Sequence, residues 1–209
     1  GSGFRIAMRD LEIRGAGNIF GPEQSGQVAQ VGYDMYCRLI EEAVREARGA
    51  QGEKLPYKVE TRVELKVDAY LPAEYVHGET QRMEVFKRIA LIKNREVRQD
   101  VIEEMIDRFG DIPEPVMHLI DIAHLRGVCG RLGVNRVNYT ANTLICRLDT
   151  GAEIAPERLY AALEKTDQRL LLSASREPAI LFRDPKLTME DALRAAVPIL
   201  EKVETAMGE

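Results

Sequence analysis

The chain has 209 residues, 45% hydrophobic and 30% charged, with a formal net charge of -5. That composition supports a soluble body with a buried core, and the acidic balance argues against a free-standing DNA-binding domain, which normally carries a basic patch or a high pI. Three cysteines, Cys37, Cys129 and Cys146, lie far apart, no stretch approaches the ~20 apolar residues of a membrane span and no signal-like start appears, so a reduced, cytoplasmic chain without membrane contact is expected.

In chain order, Phe4, Ala7, Met8 and Leu11 fall at helical spacing and predict a short helix over 4–11. A polar, glycine-dense bend follows, with Gly15, Gly17, Gly21 and Gly26. Glycine lets a backbone turn sharply and approach another surface closely. Beyond it, Tyr36, Leu39, Ile40, Ala43, Val44 and Ala47 form one apolar helical face, with Asp34/Arg38 and Glu41/Arg45 as i,i+4 pairs elsewhere on the helix. Residues 1–48 therefore read as a helical hairpin, and two helices of this kind need a partner to bury their apolar faces. Residues 49–56, Gly-Ala-Gln-Gly-Glu-Lys-Leu-Pro, read as a linker to a third segment, 57–209.

That segment opens on Val59, Thr61, Val63, Leu65 and Val67 in strict alternation with other residues, which predicts a half-buried strand. Three helices are expected next, at 81–93, 96–109 and 115–132, the second stopped by Gly110 and the third by Gly133. Strands at 134–139 and 143–148 pair around Ala141-Asn142, a dipeptide that is not a strong type I′ sequence. A helix at 156–165, strands at 169–173 and 179–182, and a final helix opened by Thr188 and Asp191 complete the pattern, with Pro198 expected to kink or split that helix. The predicted class is α+β: an N-terminal helical hairpin, then a mixed α/β domain with a three-helix cluster and a small sheet.

No phosphate-binding Gly-x4-Gly-Lys-Ser/Thr, no Gly-x-Ser-x-Gly and no His-Glu-x-x-His occurs, so neither a catalytic centre nor a metal site is expected in this chain. His118 and His124 sit six apart on different faces of one helix, and Cys129 reads as a packed thiol rather than a ligand. Arg14, beside Gly15 and Gly17, has an unobstructed guanidinium fork suited to a carboxylate, a phosphate or a helix end. On the residues alone, a gripping arginine and an ordinary solvated one fit equally.

The run Met8-Arg9-Asp10-Leu11-Glu12-Ile13-Arg14-Gly15-Ala16-Gly17, followed by Gly21-Pro22-Glu23-Gln24-Ser25-Gly26, resembles the translocation motif shared by RecG-type helicases and the bacterial transcription-repair coupling factors. Residues from Tyr57-Lys58-Val59-Glu60 through Arg108-Phe109-Gly110-Asp111-Ile112-Pro113 resemble the C-terminal domain of the coupling factors only. The resemblance implies that the hairpin couples ATP hydrolysis to duplex-DNA movement, with Arg14 and Gln24 as coupling residues, Glu12 and Asp10 as supports, and Gly15, Gly17 and Gly26 as backbone hinges. ATP and magnesium would be held by the parent motor. Arginine and glutamine donors do not titrate near neutral pH, so they can exchange partners between nucleotide states without proton transfer.

Glu104, Asp107 and Arg108 share one face of the predicted helix at 96–109, away from Val101, Met105 and Phe109. As a plain solvated face, its Glu104/Arg108 pair contributes only ~0.3–0.5 kcal/mol. The resemblance implies more: in the coupling factors this domain folds back on the N-terminal repair module and masks the surface that recruits the UvrA damage-recognition protein, while RNA polymerase engages other domains of the parent. Arg126 and Arg131 are candidates to extend the face. Two other readings compete: an enzyme using Glu103, Glu104, Asp107 and Asp111 for acid–base work, and a stand-alone nucleic-acid-binding or protein-interaction module. The first lacks an apolar pocket or a second reactive group, and the nucleic-acid form of the second lacks interleaved aromatic and basic residues.

Overall fold

The structure, a computed structural model, describes residues 59–209 together with a helical stretch at 42–43 and 45–49. The glycine-rich bend and most of the predicted hairpin lie outside the described residues. From residue 59 onward the order is β1 (Arg62–Glu64), α1 (Glu79–Ala90), α2 (Arg95–Phe109), α3 (Glu114–Arg131), β2 (Val134–Thr140), β3 (Thr143–Leu148), α4 (Pro156–Thr166), β4 (Leu170–Ser173), β5 (Ala179–Arg183) and α5 (Met189–Gly208). The class is α+β, as the pattern predicts. These residues fall into two compact units, one holding Asp68–Ala123 with the 42–49 stretch, the other the segment up to Val67 together with His124–Glu209.

The first unit contains α1, α2 and the start of α3. Val85, Phe86 and Ile89 form the buried face of α1, and Val101 and Met105 that of α2. Each helix boundary has a local cause. Asn94 is extended (φ -151°, ψ 176°) and its side chain accepts from the Val97 N–H at 2.9 Å, which opens α2. Gly110, at φ 82°, ends α2 in a conformation that disfavours side chains. Arg98 of α2 and Asp121 of α3 pair at 2.9 Å, and the buried His118 donates from Nδ1 to the Asp68 carbonyl at 2.7 Å.

The second unit is built on a five-stranded sheet of order β1-β2-β3-β5-β4. β1 and β2 are parallel and the other neighbours antiparallel. Parallel neighbours require a crossover, and the chain between them carries α1, α2 and α3. The predicted strand at 59–67 shows the full alternation, with odd-numbered positions from 59 to 69 buried and most even-numbered ones exposed, although the ladder covers only three residues. Among the described residues β1 has one partner, β2, and paired length and patterned length differ.

Val63, Val137, Cys146 and Ile180 stand in register across four strands, all buried, and Leu144, Phe182 and Leu170 continue the same face. α4 packs on α5 and β4, and α5 on β3. The end of α3 is tied to α5 by His124 Nε2 against Glu201 Oε1 at 2.5 Å and by Arg131, whose Nε and Nη2 reach Glu204 at 2.6 and 3.2 Å. Cys129 and Cys146 are free and buried; a hydrogen bond between them, and then burial, push the Cys129 thiol well above its ordinary value. A neutral packed thiol results.

One local expectation is corrected. Of the kink or split expected at Pro198, the split does not occur: α5 runs unbroken over 20 residues. Pro198 lies on the exposed side, opposite Leu193, Val197 and Leu200, where a carbonyl that loses its helical partner stays accessible to water. Thr188 does open that helix, accepting from the Asp191 N–H at 3.2 Å while its hydroxyl donates to Asp191 Oδ2 at 2.8 Å.

The β2–β3 turn sits around Ala141-Asn142, as the pattern predicts. Ala141 and Asn142 both adopt positive φ, 48° and 56°, as a type I′ hairpin requires despite an unfavourable sequence. Distant groups impose it: Asn142 Nδ2 donates to the Leu187 carbonyl at 3.0 Å, and the Asp184 N–H donates to the Asn142 carbonyl at 3.3 Å. Alanine is strained there, so Ala141→Gly is expected to raise unfolding free energy by about 0.5–1 kcal/mol, measured by denaturant titration.

Candidate functional site

The α2 face is the one predicted site inside the described residues. Glu96 in the first turn and Arg108 in the last both suit the helix dipole. With Val101 and Met105 turned inward, Glu104 is left half-buried while Asp107 and Arg108 are exposed. Glu104 is gripped on both oxygens. Its Oε1 accepts from Arg108 Nη1 at 3.3 Å, one helical turn on, and its Oε2 accepts from Arg88 Nη2 of α1 at 2.5 Å. The Arg108 guanidinium stands 4.9 Å from the centre of the Phe109 ring. That ring in turn packs at 5.7 Å against Tyr75, whose hydroxyl donates to the Gly110 carbonyl at 3.2 Å. Burial, and then the nearby Asp111 carboxylate, raise the Tyr75 pKa, so its hydroxyl stays a donor.

Val85, Arg88, Val101, Glu104, Met105 and Arg108 border a shallow groove, open to solvent, that encloses only about 10 Å³. Small-molecule sites generally run to ~300–1,000 Å³ and enclose most of the ligand. The arrangement suits a protein contact better than a substrate.

Sequence spacing placed Glu104, Asp107 and Arg108 together, and the first and last do touch. Asp107 is exposed and takes no hydrogen-bond or ionic partner among the described residues. Arg88 was missed, because a pair 16 residues apart on two helices leaves no periodic trace. Of the two candidates to extend it, Arg126 is only 6% exposed, and Arg131 is engaged by Glu204. Arg14, Gln24, Glu12, Asp10, Gly15, Gly17 and Gly26 lie outside the described residues. Among the described residues no group of three His, Cys, Asp or Glu side chains is placed to hold a metal, and no helix is long and apolar enough to cross a membrane.

Comparison with known proteins decides the family. The TRCF domain model matches residues 65–159. The transcription-repair-coupling factor of Staphylococcus aureus (strain USA300) is 33% identical over 204 residues, 97% of this chain. The chain belongs to the transcription-repair coupling factor family. The Staphylococcus haemolyticus protein of the same name is 41% identical over 152 residues (73% of this chain), and that of Staphylococcus epidermidis (strain ATCC 35984) 48% over 126 (60%). The fold matches the crystal structure of a C-terminal domain of transcription-repair coupling factor with a TM-score of 0.65 at 23% identity, covering 74% of this chain and 98% of that one. This is accordingly a C-terminal portion of a coupling factor, and it spans 17%, 13% and 11% of the length of the three staphylococcal relatives, respectively.

Proposed function

We propose that this chain serves as the C-terminal part of an ATP-driven duplex-DNA translocase that displaces stalled RNA polymerase and recruits nucleotide excision repair. Residues 1–48 couple hydrolysis to movement through Arg14 and Gln24, residues 49–56 link, and residues 57–209 regulate. The motor, with its ATP and magnesium, resides elsewhere in the parent. The regulatory segment folds back on the N-terminal repair module and covers its UvrA-binding surface, using the α2 face of Glu104, Asp107 and Arg108. What carries this reading is the α2 face itself: a mixed-charge, partly exposed helix surface beside a groove too shallow for a substrate. Polar interfaces of this kind hold two bodies in register yet open readily.

The test is a binding titration of UvrA against the full-length parent carrying Glu104→Ala, Asp107→Ala and Arg108→Ala together. Removing the clamp exposes the covered surface, and UvrA affinity is expected to rise about ten-fold or more, while ATP turnover stays intact. Unchanged affinity would sink the masking role of this face.

A further inference from the structure

The clamp residue Glu104 is already occupied before any partner arrives. One oxygen is held by Arg108 and the other by Arg88. The two arginines are not held alike. Arg108 travels on the same helix as Glu104 and is seated over the Phe109 ring at 4.9 Å. Arg88 reaches across from α1 on a flexible stem, its side chain 52% exposed, and Glu104 is its one hydrogen-bond or ionic partner among the described residues. Arg88 is the arginine that can let go.

The rest of α2 indicates what would replace it. Glu96, Asp100, Glu103 and Asp107 are exposed at spacings i, i+4, i+7 and i+11, one carboxylate stripe along the helix. Among the described residues only Glu103 is engaged there, by the neutral Gln99 amide at 2.9 Å. The complement of such a stripe is a cationic surface, and an incoming arginine or lysine would seek the Glu104 carboxylate that Arg88 occupies.

We propose that Arg88 is an internal competitor for Glu104, holding the carboxylate while the docked module is away and yielding it when a cation of that module arrives, so that Arg88 sets how tightly the regulatory segment masks. This rests on the masking reading and adds its regulation. An exposed ion pair of this geometry changes an equilibrium by roughly two- to five-fold, enough to tune a clamp without disabling it.

The experiment compares full-length parent proteins carrying Arg88→Ala, Glu104→Ala and both, each titrated with UvrA. Removing the competitor tightens masking, so Arg88→Ala is expected to weaken UvrA binding roughly two- to five-fold. Glu104→Ala is expected to strengthen binding, and the double variant to match Glu104→Ala, since no carboxylate remains to compete for. A misfolded segment would unmask rather than mask, so loss of structure cannot imitate the predicted sign. If Arg88→Ala leaves binding unchanged or strengthens it while Glu104→Ala strengthens it, Arg88 is merely a brace between α1 and α2 and this inference falls while masking stands. If neither single variant alters binding, the masking reading itself falls and takes the inference with it.

Discussion

Arg14→Ala in the full-length parent is expected to leave DNA-stimulated ATP turnover near normal and to abolish duplex translocation. The expectation follows from the chemistry of the position. A residue that binds nucleotide or polarises phosphate would lower turnover when removed. One that converts a change in motor state into movement acts only through differential contacts made in the two states. Arg14 stands between Ile13 and Gly15-Ala16-Gly17, where a planar, permanently charged fork can exchange partners without titrating. Measured together, ATPase and triplex displacement or an equivalent translocation assay separate the possibilities. Loss of both activities would place Arg14 in the motor's chemistry instead. Retention of both would reduce the motif to a bend.

Gly133→Ala should give the largest loss of stability from one added methyl group. Gly133 joins α3 to β2 at φ 74°, in the left-handed region that costs an alanine about 1–2 kcal/mol. Space is also lacking. A Cβ at this position would lie 2.6 Å from Ile154 Cδ1 and 2.8 Å from Ala152 Cβ. The isoleucine tip can swing aside, but the Ala152 methyl moves only with its backbone. That backbone is itself tied down: the Asp149 N–H donates to the Gly133 carbonyl at 2.8 Å and the Ala152 N–H to the Asp149 carbonyl at 3.1 Å. Overpacking of this kind adds about 1–3 kcal/mol, giving an expected total of roughly 2–5 kcal/mol in denaturant titration. Gly110→Ala is the control, since it has positive φ but open space around its Cβ, and its cost should be confined to the backbone component.

Local signals were legible in the sequence wherever the structure obeys local rules. The α2 helix was legible to within one residue of its observed limits because an inward Val101/Met105 pair and a stopping Gly110 both act within the helix itself. The 59–67 alternation predicted burial correctly even where no ladder forms, because alternation reports which side faces the core rather than which strand is paired. Legibility ended where distant groups decide. Ala141-Asn142 is a poor type I′ sequence held in that turn by Leu187 and Asp184, more than 40 residues on. Arg126 was expected on an exposed face, but every residue of α3 from 122 to 130 is buried. A helix surrounded on all sides has no outward stripe to place it on. Arg88 was invisible for a related reason, since a pair between helices depends on how they pack.

The proposed role of residues 57–209 is to keep the repair-recruiting surface of the parent covered. The most direct measurement is the affinity of UvrA for the full-length protein against one truncated after residue 56. Markedly tighter binding by the truncated protein is expected, with ATP turnover retained. Equal affinity in the two would contradict it, and would leave this α+β segment without a regulatory role in recruitment.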